Sequence, residues 1–206
     1  MTQIDQPTID TYNRSAKKFA GHFNNYFDGT AKRDVKMAFE LAGKPDKARI
    51  VEIGCGAGKD TPEIIKIASW YEGFDPAEKL LNIARQNHPK ASFVVSDASS
   101  YEYPENLDLV FAFASLLHVP KNELRKILIK LTKAIKPSGI LCISLKESEK
   151  YQEVLQEDDF GKRQFYLYSP EIIKELAGDN FEIVREEHNS IGPKKKQWFE
   201  VFLKKV

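Results

Sequence analysis

Arg49-Ile50-Val51-Glu52-Ile53-Gly54-Cys55-Gly56-Ala57-Gly58-Lys59-Asp60-Thr61 decides the fold. An apolar, β-branched run ends in an acid, three glycines follow at alternate positions, and a helical pattern opens behind them. Strand, glycine loop and helix start, in that order, are the grammar of a nucleotide-cofactor site. Glycines serve there because a side chain would hold a ligand off the backbone, and because the turn demands positive φ. A dinucleotide fingerprint, Gly-x-Gly-x-x-Gly, would put its third glycine at position 59; the chain has Lys59 there and Gly58 before it. Glu52, at the end of the strand, is expected to face the ligand space. A carboxylate there repels a pyrophosphate and suits a ligand carrying an ammonium and a sulfonium.

Outward from this stretch the chain alternates. Strand Arg49–Ile53 leads to a helix over 60–68, a short strand over 70–74 to a helix over 76–86, and a strand over 92–95 follows. A strand over 107–113 precedes a helix over 121–135; Pro137-Ser138-Gly139 makes a turn and 140–145 is a buried strand. Apolar strands alternating with helices mean a mostly parallel, doubly wound sheet covered on both faces. Upstream, Ile9, Tyr12, Ala16, Phe19 and Phe23 recur at helical spacing, 24–29 breaks the pattern, and a second helix over 30–42 carries Val35, Phe39 and Ala42. Downstream, 148–168 is polar and aromatic without a clear period. Ser169-Pro170-Glu171 then reads as N-cap, first helical residue and first-turn acid. Two strands over 181–187 and 197–204, joined through Gly192-Pro193-Lys194-Lys195-Lys196, form a C-terminal antiparallel hairpin.

With 206 residues and a net charge of +1, the chain has room for one domain with a proper core and has no global field for nucleic acid or membrane. No apolar run approaches the ~20 residues of a membrane span, and the first residues lack the basic and apolar regions of a signal peptide. Cys55 and Cys142 read as reduced thiols of a cytoplasmic protein, and the four histidines show no metal-ligand spacing. The expected organisation is a single domain over 1–206: a helical lid over 1–45, a cofactor-binding core over 46–145, and a substrate cap with the terminal hairpin over 146–206.

The glycine loop closely resembles motif I of the class I S-adenosylmethionine (SAM)-dependent methyltransferases, Glu/Asp-x-Gly-x-Gly-x-Gly. The terminal hairpin matches the way that family's seven-stranded sheet ends, so the resemblance spans nearly the whole chain. It implies an enzyme that moves a methyl group from SAM to a nucleophilic atom, leaving S-adenosylhomocysteine, with Glu52, Gly54, Cys55, Gly56 and Gly58 at the cofactor. The compact chain and near-neutral charge favour a small-molecule acceptor over nucleic acid. RNA or protein methylation is the alternative, with Lys17, Lys18, Lys32, Arg33 and Lys194–Lys196 as a basic rim; a non-catalytic SAM-binding regulator is another.

Further site residues follow from position. Asp75, nineteen residues past Gly56, can accept hydrogen bonds from both ribose hydroxyls; with Pro76 it is also a good helix cap. Asp97 and the N–H of Ala98 resemble the family's reader of the adenine edge, though Asp97 also suits a turn. Phe113 and Ala114 follow the fourth strand, beyond the switch point, where ligands of open α/β sheets lie. His118 is the candidate general base and acceptor contact, or else a packing histidine. Tyr12 resembles an N-terminal lid aromatic that closes over the sulfonium, and is equally an apolar-face residue. In the 146–206 segment Arg163, Tyr166 and Tyr168 are the candidate acceptor contacts. The sequence is silent on oligomeric state.

Overall fold

The structure, a computed structural model, describes residues 6–24, 30–191 and 196–206. The start at 1–5, residues 25–29 of the break expected over 24–29, and residues 192–195 of the turn expected over 192–196 lie outside the described residues, as does the side chain of Phe23; Asn24 ends the first helix and Lys196 begins the last strand.

Two helices, α1 (Gln6–Asn24) and α2 (Thr30–Leu41), precede the sheet. The chain then runs β1 (Ala48–Ile53), α3 (Thr61–Ile64), β2 (Ala68–Asp75), α4 (Glu78–Asn87), β3 (Ser92–Val95) and β4 (Leu107–Phe113). It continues through α5 (Lys121–Ala134), β5 (Ile135–Lys146), β6 (Gln152–Asp158), β7 (Gly161–Leu167), α6 (Pro170–Ala177), β8 (Phe181–Ile191) and β9 (Lys196–Lys205). Seven strands form one sheet in the order β3-β2-β1-β4-β5-β9-β8. The first five pair in parallel; β9 runs antiparallel to both β5 and β8. The doubly wound sheet with its terminal hairpin is therefore as the sequence reads. Between β1 and β4 the chain order reverses, which opens a crevice at the strands' carboxyl ends.

Parity along the strands divides the core. Val51, Ile53, Val110, Ala112, Leu141 and Ile143 meet α5 and α6 through Leu124, Leu128, Leu131 and Ile173. Their neighbours Ile50, Leu109, Phe111, Ile140 and Cys142 meet α2, α3 and α4 through Val35, Ala38, Ile64 and Leu81. Alternate side chains of a strand point to opposite faces, so an uninterrupted apolar run buries both. α1 lies apart from both cores: Ala16 and Ala20 pack on Ala57, Ala77 and Leu80, over the loop after β1.

Four elements differ from their sequence reading. α3 stops at Ile64, because Ala68 pairs with Ala48 and draws the chain early into β2. α4 begins at Glu78 with Ala77 at its cap, because Asp75 turns its carboxylate to backbone N–H groups on both sides of it. The Pro137-Ser138-Gly139 turn is an irregularity inside β5, where Ser138 has φ 66°. The patternless 148–168 stretch is a second, two-stranded sheet of β6 and β7, turned at Asp159-Phe160. α6 keeps the expected cap, with Ser169 Oγ accepting from Ile172 N at 3.4 Å. Among the described residues no helix is long and apolar enough to cross a membrane.

Tyr168 ends the β6–β7 ribbon fully buried, and its hydroxyl donates to Val119 O at 2.6 Å. Tyr168→Phe leaves that buried carbonyl unpaired, so urea unfolding should show a loss of about 1–2 kcal/mol.

Candidate functional site

The strands' carboxyl ends open into a cavity of about 920 Å³, within the range of small-ligand sites. Its first wall is the loop after β1. Gly54, Gly56 and Gly58 have φ of 68°, 54° and 78°, the left-handed region that glycine alone enters cheaply. A Cβ on Gly54 would lie 2.3 Å from Ser115 Cβ, and one on Gly58 2.8 Å from His88 Cδ2. Those two glycines let the loop pack against its neighbours. A Cβ on Gly56 would meet nothing nearer than Leu80 Cδ1 at 4.0 Å. Gly56 thus offers bare backbone to open space, a cradle for a ligand.

Asp75 bolts this loop to the start of α4. Its Oδ2 accepts from Gly56 N at 3.0 Å and its Oδ1 from Ala77 N at 2.7 Å. Burial pushes the carboxyl up to about 6 against the pull of those two donors. Both oxygens keep lone pairs for further donors, and Asp75 and Pro76 line the cavity.

Glu52 does not face the ligand space. It shares the parity of Ile50, so it points to the face opposite Ile53, which does line the cavity. There its Oε2 accepts from Tyr71 OH at 2.5 Å and from Thr61 Oγ1 at 3.3 Å. Burial, then the charge of Asp60, raises it to about 8. Its position behind the glycine loop makes it a strut between β1, β2 and α3.

Asp97 is held by its own turn. Its oxygens accept from Ser99 N (2.8 Å), Ser100 N (3.1 Å), Ser99 Oγ (2.5 Å) and Ser100 Oγ (2.6 Å). Burial would raise this carboxyl, but those four donors outweigh it and hold it below the usual range. The neighbouring Ala98 lines the cavity.

The end of β4 forms the middle of the cavity. Phe113, Ala114 and His118 all line it. Ala114 has φ 50°, and its N–H donates to Ser144 O at 3.1 Å, which turns the chain off the strand. His118 is buried, with both ring nitrogens in use. Its Nδ1 lies 2.5 Å from Gln164 O, an acceptor only, so Nδ1 carries the proton. Nε2 then accepts from Tyr12 OH at 2.8 Å. Burial, aided by Arg163 and Lys146, pulls His118 down to about 3. The imidazole is neutral and its lone pair is committed to Tyr12, which argues against a base role.

Tyr12 in turn accepts from Arg163 Nη1 at 3.1 Å, and Arg163 Nη2 pairs with Asp158. The guanidinium sits among the rings of Tyr12, Phe160 and Phe165, 5.2, 5.4 and 5.3 Å from their centroids. This network ties α1 to β7 across the cavity. Period two decides the rest of β7: Arg163 and Phe165 line the cavity, while Tyr166 faces away and stacks on Tyr151, 6.2 Å between centroids. Tyr168 is in the core. Neither Tyr166 nor Tyr168 contacts the cavity, so of the four expected acceptor contacts His118 and Arg163 line it. The sequence reading missed Phe165, Lys146, Ser144, Asp34 and Glu200, which also line it. For Ser144 and Lys146 in β5 and Glu200 in β9, alternation with apolar neighbours was the available signal.

Residues 50–139 match the family described as a methyltransferase domain. A trans-aconitate 2-methyltransferase of Variovorax paradoxus is 32% identical over 107 residues, covering 50% of this chain and 40% of that protein. The chain therefore spans less than half the length of this curated relative. Among solved structures, a 1,6-didemethyltoxoflavin-N1-methyltransferase of Burkholderia thailandensis, crystallised with S-adenosylhomocysteine, superposes with TM-score 0.72 at 18% identity. The match covers 96% of this chain and 87% of that one. A SAM-dependent methyltransferase of Leishmania major gives TM-score 0.76 at 13% identity over 97% and 82% of the two chains. At such identities the likeness is one of fold.

Two expectations follow from the buried groups. Glu52 takes up its proton at about 8 when folded and near 4.5 when unfolded, so the folded chain binds more protons in that window and loses stability as pH rises through it. Glu52→Gln keeps the acceptor for Tyr71 and Thr61 and should raise stability at pH above 8 more than at pH below 5, by on the order of 1 kcal/mol or more in paired denaturation curves. His118 runs the other way. Its folded value of about 3 lies below the ordinary 6.5, so its contribution is complete above 6.5 and is lost as pH falls toward 3. Its imidazole NMR signals should stay fixed in the neutral form, Nδ1 protonated, throughout the range above pH 5.

Proposed function

We propose that this chain, whose residues 50–139 are a methyltransferase domain on the class I fold, transfers a methyl group from SAM to a small-molecule acceptor. The observation that carries the reading is Gly56: left-handed, open toward the cavity, and bolted by its N–H to Asp75. A cofactor approaching that backbone has Asp75 within reach of its ribose hydroxyls, and Gly54, Cys55 and Gly58 shape the turn beneath it. Pro76 and Ala98 flank it. Asp97 would read the adenine edge by giving up the Ser100 hydroxyl, the most exposed of its four donors. Phe113 and Ala114 offer the methionine portion their backbone and packing surface, and Tyr12 lies over it from α1.

When bound, SAM supplies a methyl already activated on a sulfonium, whose S–C bonding pair stays with sulfur to leave S-adenosylhomocysteine. What remains for the protein is alignment and exclusion of water. α1 and the β6–β7 ribbon do the second. His118 acts through Tyr12: it fixes the phenol, and the phenol fixes Arg163. The buried, unbridged Cys55 and Cys142 suit a reducing compartment, the cytoplasm.

Thermal unfolding with SAM, S-adenosylhomocysteine or NAD tests the cofactor assignment. At a hundredfold excess over Kd a native-state ligand adds about 2.7 kcal/mol, roughly 5–10 °C for a chain of this length. The adenosyl compounds should give that shift and NAD none. Asp75→Ala should weaken S-adenosylhomocysteine by at least about tenfold, the loss of roughly 1.4 kcal/mol. No shift with either adenosyl compound at millimolar concentration sinks the reading.

A further inference from the structure

The cavity has a second polar wall that the cofactor assignment leaves unused. Phe113 on β4, Ser144 on β5, Glu200 on β9 and Glu187 on β8 are successive register partners, one row across four strands. It lies on the α2 side of the sheet and across the switch point from Asp75. α2 adds Arg33 and Asp34. The Arg33 guanidinium pairs with Asp34 at 2.9 Å, Glu187 at 3.0 Å and Glu200 at 3.0 Å. One cation thus serves three carboxylates. Asp34 and Glu200 are 1% and 5% exposed, and both line the cavity.

An independent feature points to a ligand at the same place. Ser144 is 8% exposed, lines the cavity beside Glu200, and its hydroxyl has no hydrogen-bond partner among the described residues. That hydroxyl is therefore free to meet a polar ligand in the cavity. Lys146, one row further along β5, donates to Gln156 Oε1 at 3.1 Å and lies over the Phe165 ring. Cys142 sits beneath, its thiol raised by burial and by the carboxylates.

We infer that Asp34, Glu200 and Ser144 form the ammonium site of the methyl acceptor, so that the acceptor is an amine. The inference rests on the methyl-transfer reading above. An ammonium has donors for both carboxyls and for the serine oxygen, and its charge balances the surplus carboxylate. Methylation needs the nitrogen lone pair. A carboxylate of the pair accepts one proton: the N–H bond breaks, its electrons stay on nitrogen, and an O–H bond forms. The two carboxyls hydrogen-bond each other; burial, then the charge of Asp34, raises Glu200 to about 8 and burial raises Asp34, so the pair already shares one proton at neutral pH and its remaining carboxylate is the one that accepts another. An acceptor bearing carboxylates would meet like charge here instead.

Calorimetric titration of the full chain, saturated with S-adenosylhomocysteine, tests this with three probes: benzylamine, phenylacetate of similar shape and opposite charge, and trans-aconitate. At neutral pH benzylamine should bind at least about tenfold tighter than either anion. The double variant Asp34→Asn with Glu200→Gln leaves Arg33 neutralised by Glu187, and should bring that ratio to within about twofold while S-adenosylhomocysteine binds as before. If the double variant loses S-adenosylhomocysteine binding, Glu200→Gln alone is the comparison. An anion that binds as tightly as benzylamine, no measurable benzylamine binding at millimolar concentration, or a preference that survives the substitutions overturns the inference. Failure of the wild-type chain to bind S-adenosylhomocysteine strikes the cofactor reading instead.

Discussion

The left-handed backbone at Gly54, Gly56 and Gly58 is the constraint on which the rest of the structure depends. A parallel strand at the centre of a doubly wound sheet must hand its chain to a helix without covering its own end. Three residues at positive φ do this within one tight turn. The turn then dictates its surroundings. Ser115 and His88 come close because no Cβ stands in their way, and Asp75 caps the loop because Gly56 N points at it. α1 can lie low over the loop because Ala16, Ala20, Ala57 and Ala77 keep the contact thin. A larger residue at Gly54 or Gly58 would both strain the backbone and lift these partners; at Gly56 it would strain the backbone and fill the cradle.

Much of this was legible in the sequence, and the failures have physical causes. β1, β3 and β4 are near-continuous apolar runs, so their existence and bounds are plain. Glu52 stands at the strand's end, but its carboxyl is held behind the loop by Thr61 and Tyr71, partners nine and nineteen residues away that its position in the motif does not reveal. β6 and β7 had no visible period because one face of that ribbon looks on a partly polar cavity. Its alternation sets Arg163 and Phe165 against Gln164 and Tyr166, which is not apolar against polar. α3 was overextended because helical spacing through Ile67 competes with strand pairing at Ala68, and the sheet hydrogen bonds win. The network through Tyr12, His118, Arg163 and Asp158 joins segments more than a hundred residues apart, and no local spacing can announce it.

That network also shows why the chemistry of a residue type does not settle its role. A histidine beside a ligand cavity reads as a base because its ordinary value lies near neutral pH. Burial removes that property here, and the carbonyl of Gln164 fixes the tautomer. His118 becomes an acceptor for a phenol, and Tyr12 joins α1 to the ribbon through Arg163. The carboxyls that burial raises lie elsewhere: Glu52 on β1, Asp75 at the end of β2, Asp34 on α2 and Glu200 on β9.

The division of the cavity follows the chain. The wall proposed for the cofactor comes from the end of β1, the loop after it, the end of β2 and the end of β4, all within 50–139, the segment that matches the methyltransferase domain. The wall opposite is made by α1, α2, the end of β5, the β6–β7 ribbon and β9, all outside that segment. The first wall works through backbone: positive φ, N–H groups and a close approach, so glycine and a carboxylate at fixed spacing are demanded of the sequence. The second works through side chains on an already rigid frame, and many residue sets satisfy the frame equally. The family match is confined to 50–139, so it covers the first wall and leaves the second unaddressed. The charge, parity and burial of Asp34, Ser144 and Glu200 are the features of this chain from which the acceptor has to be read.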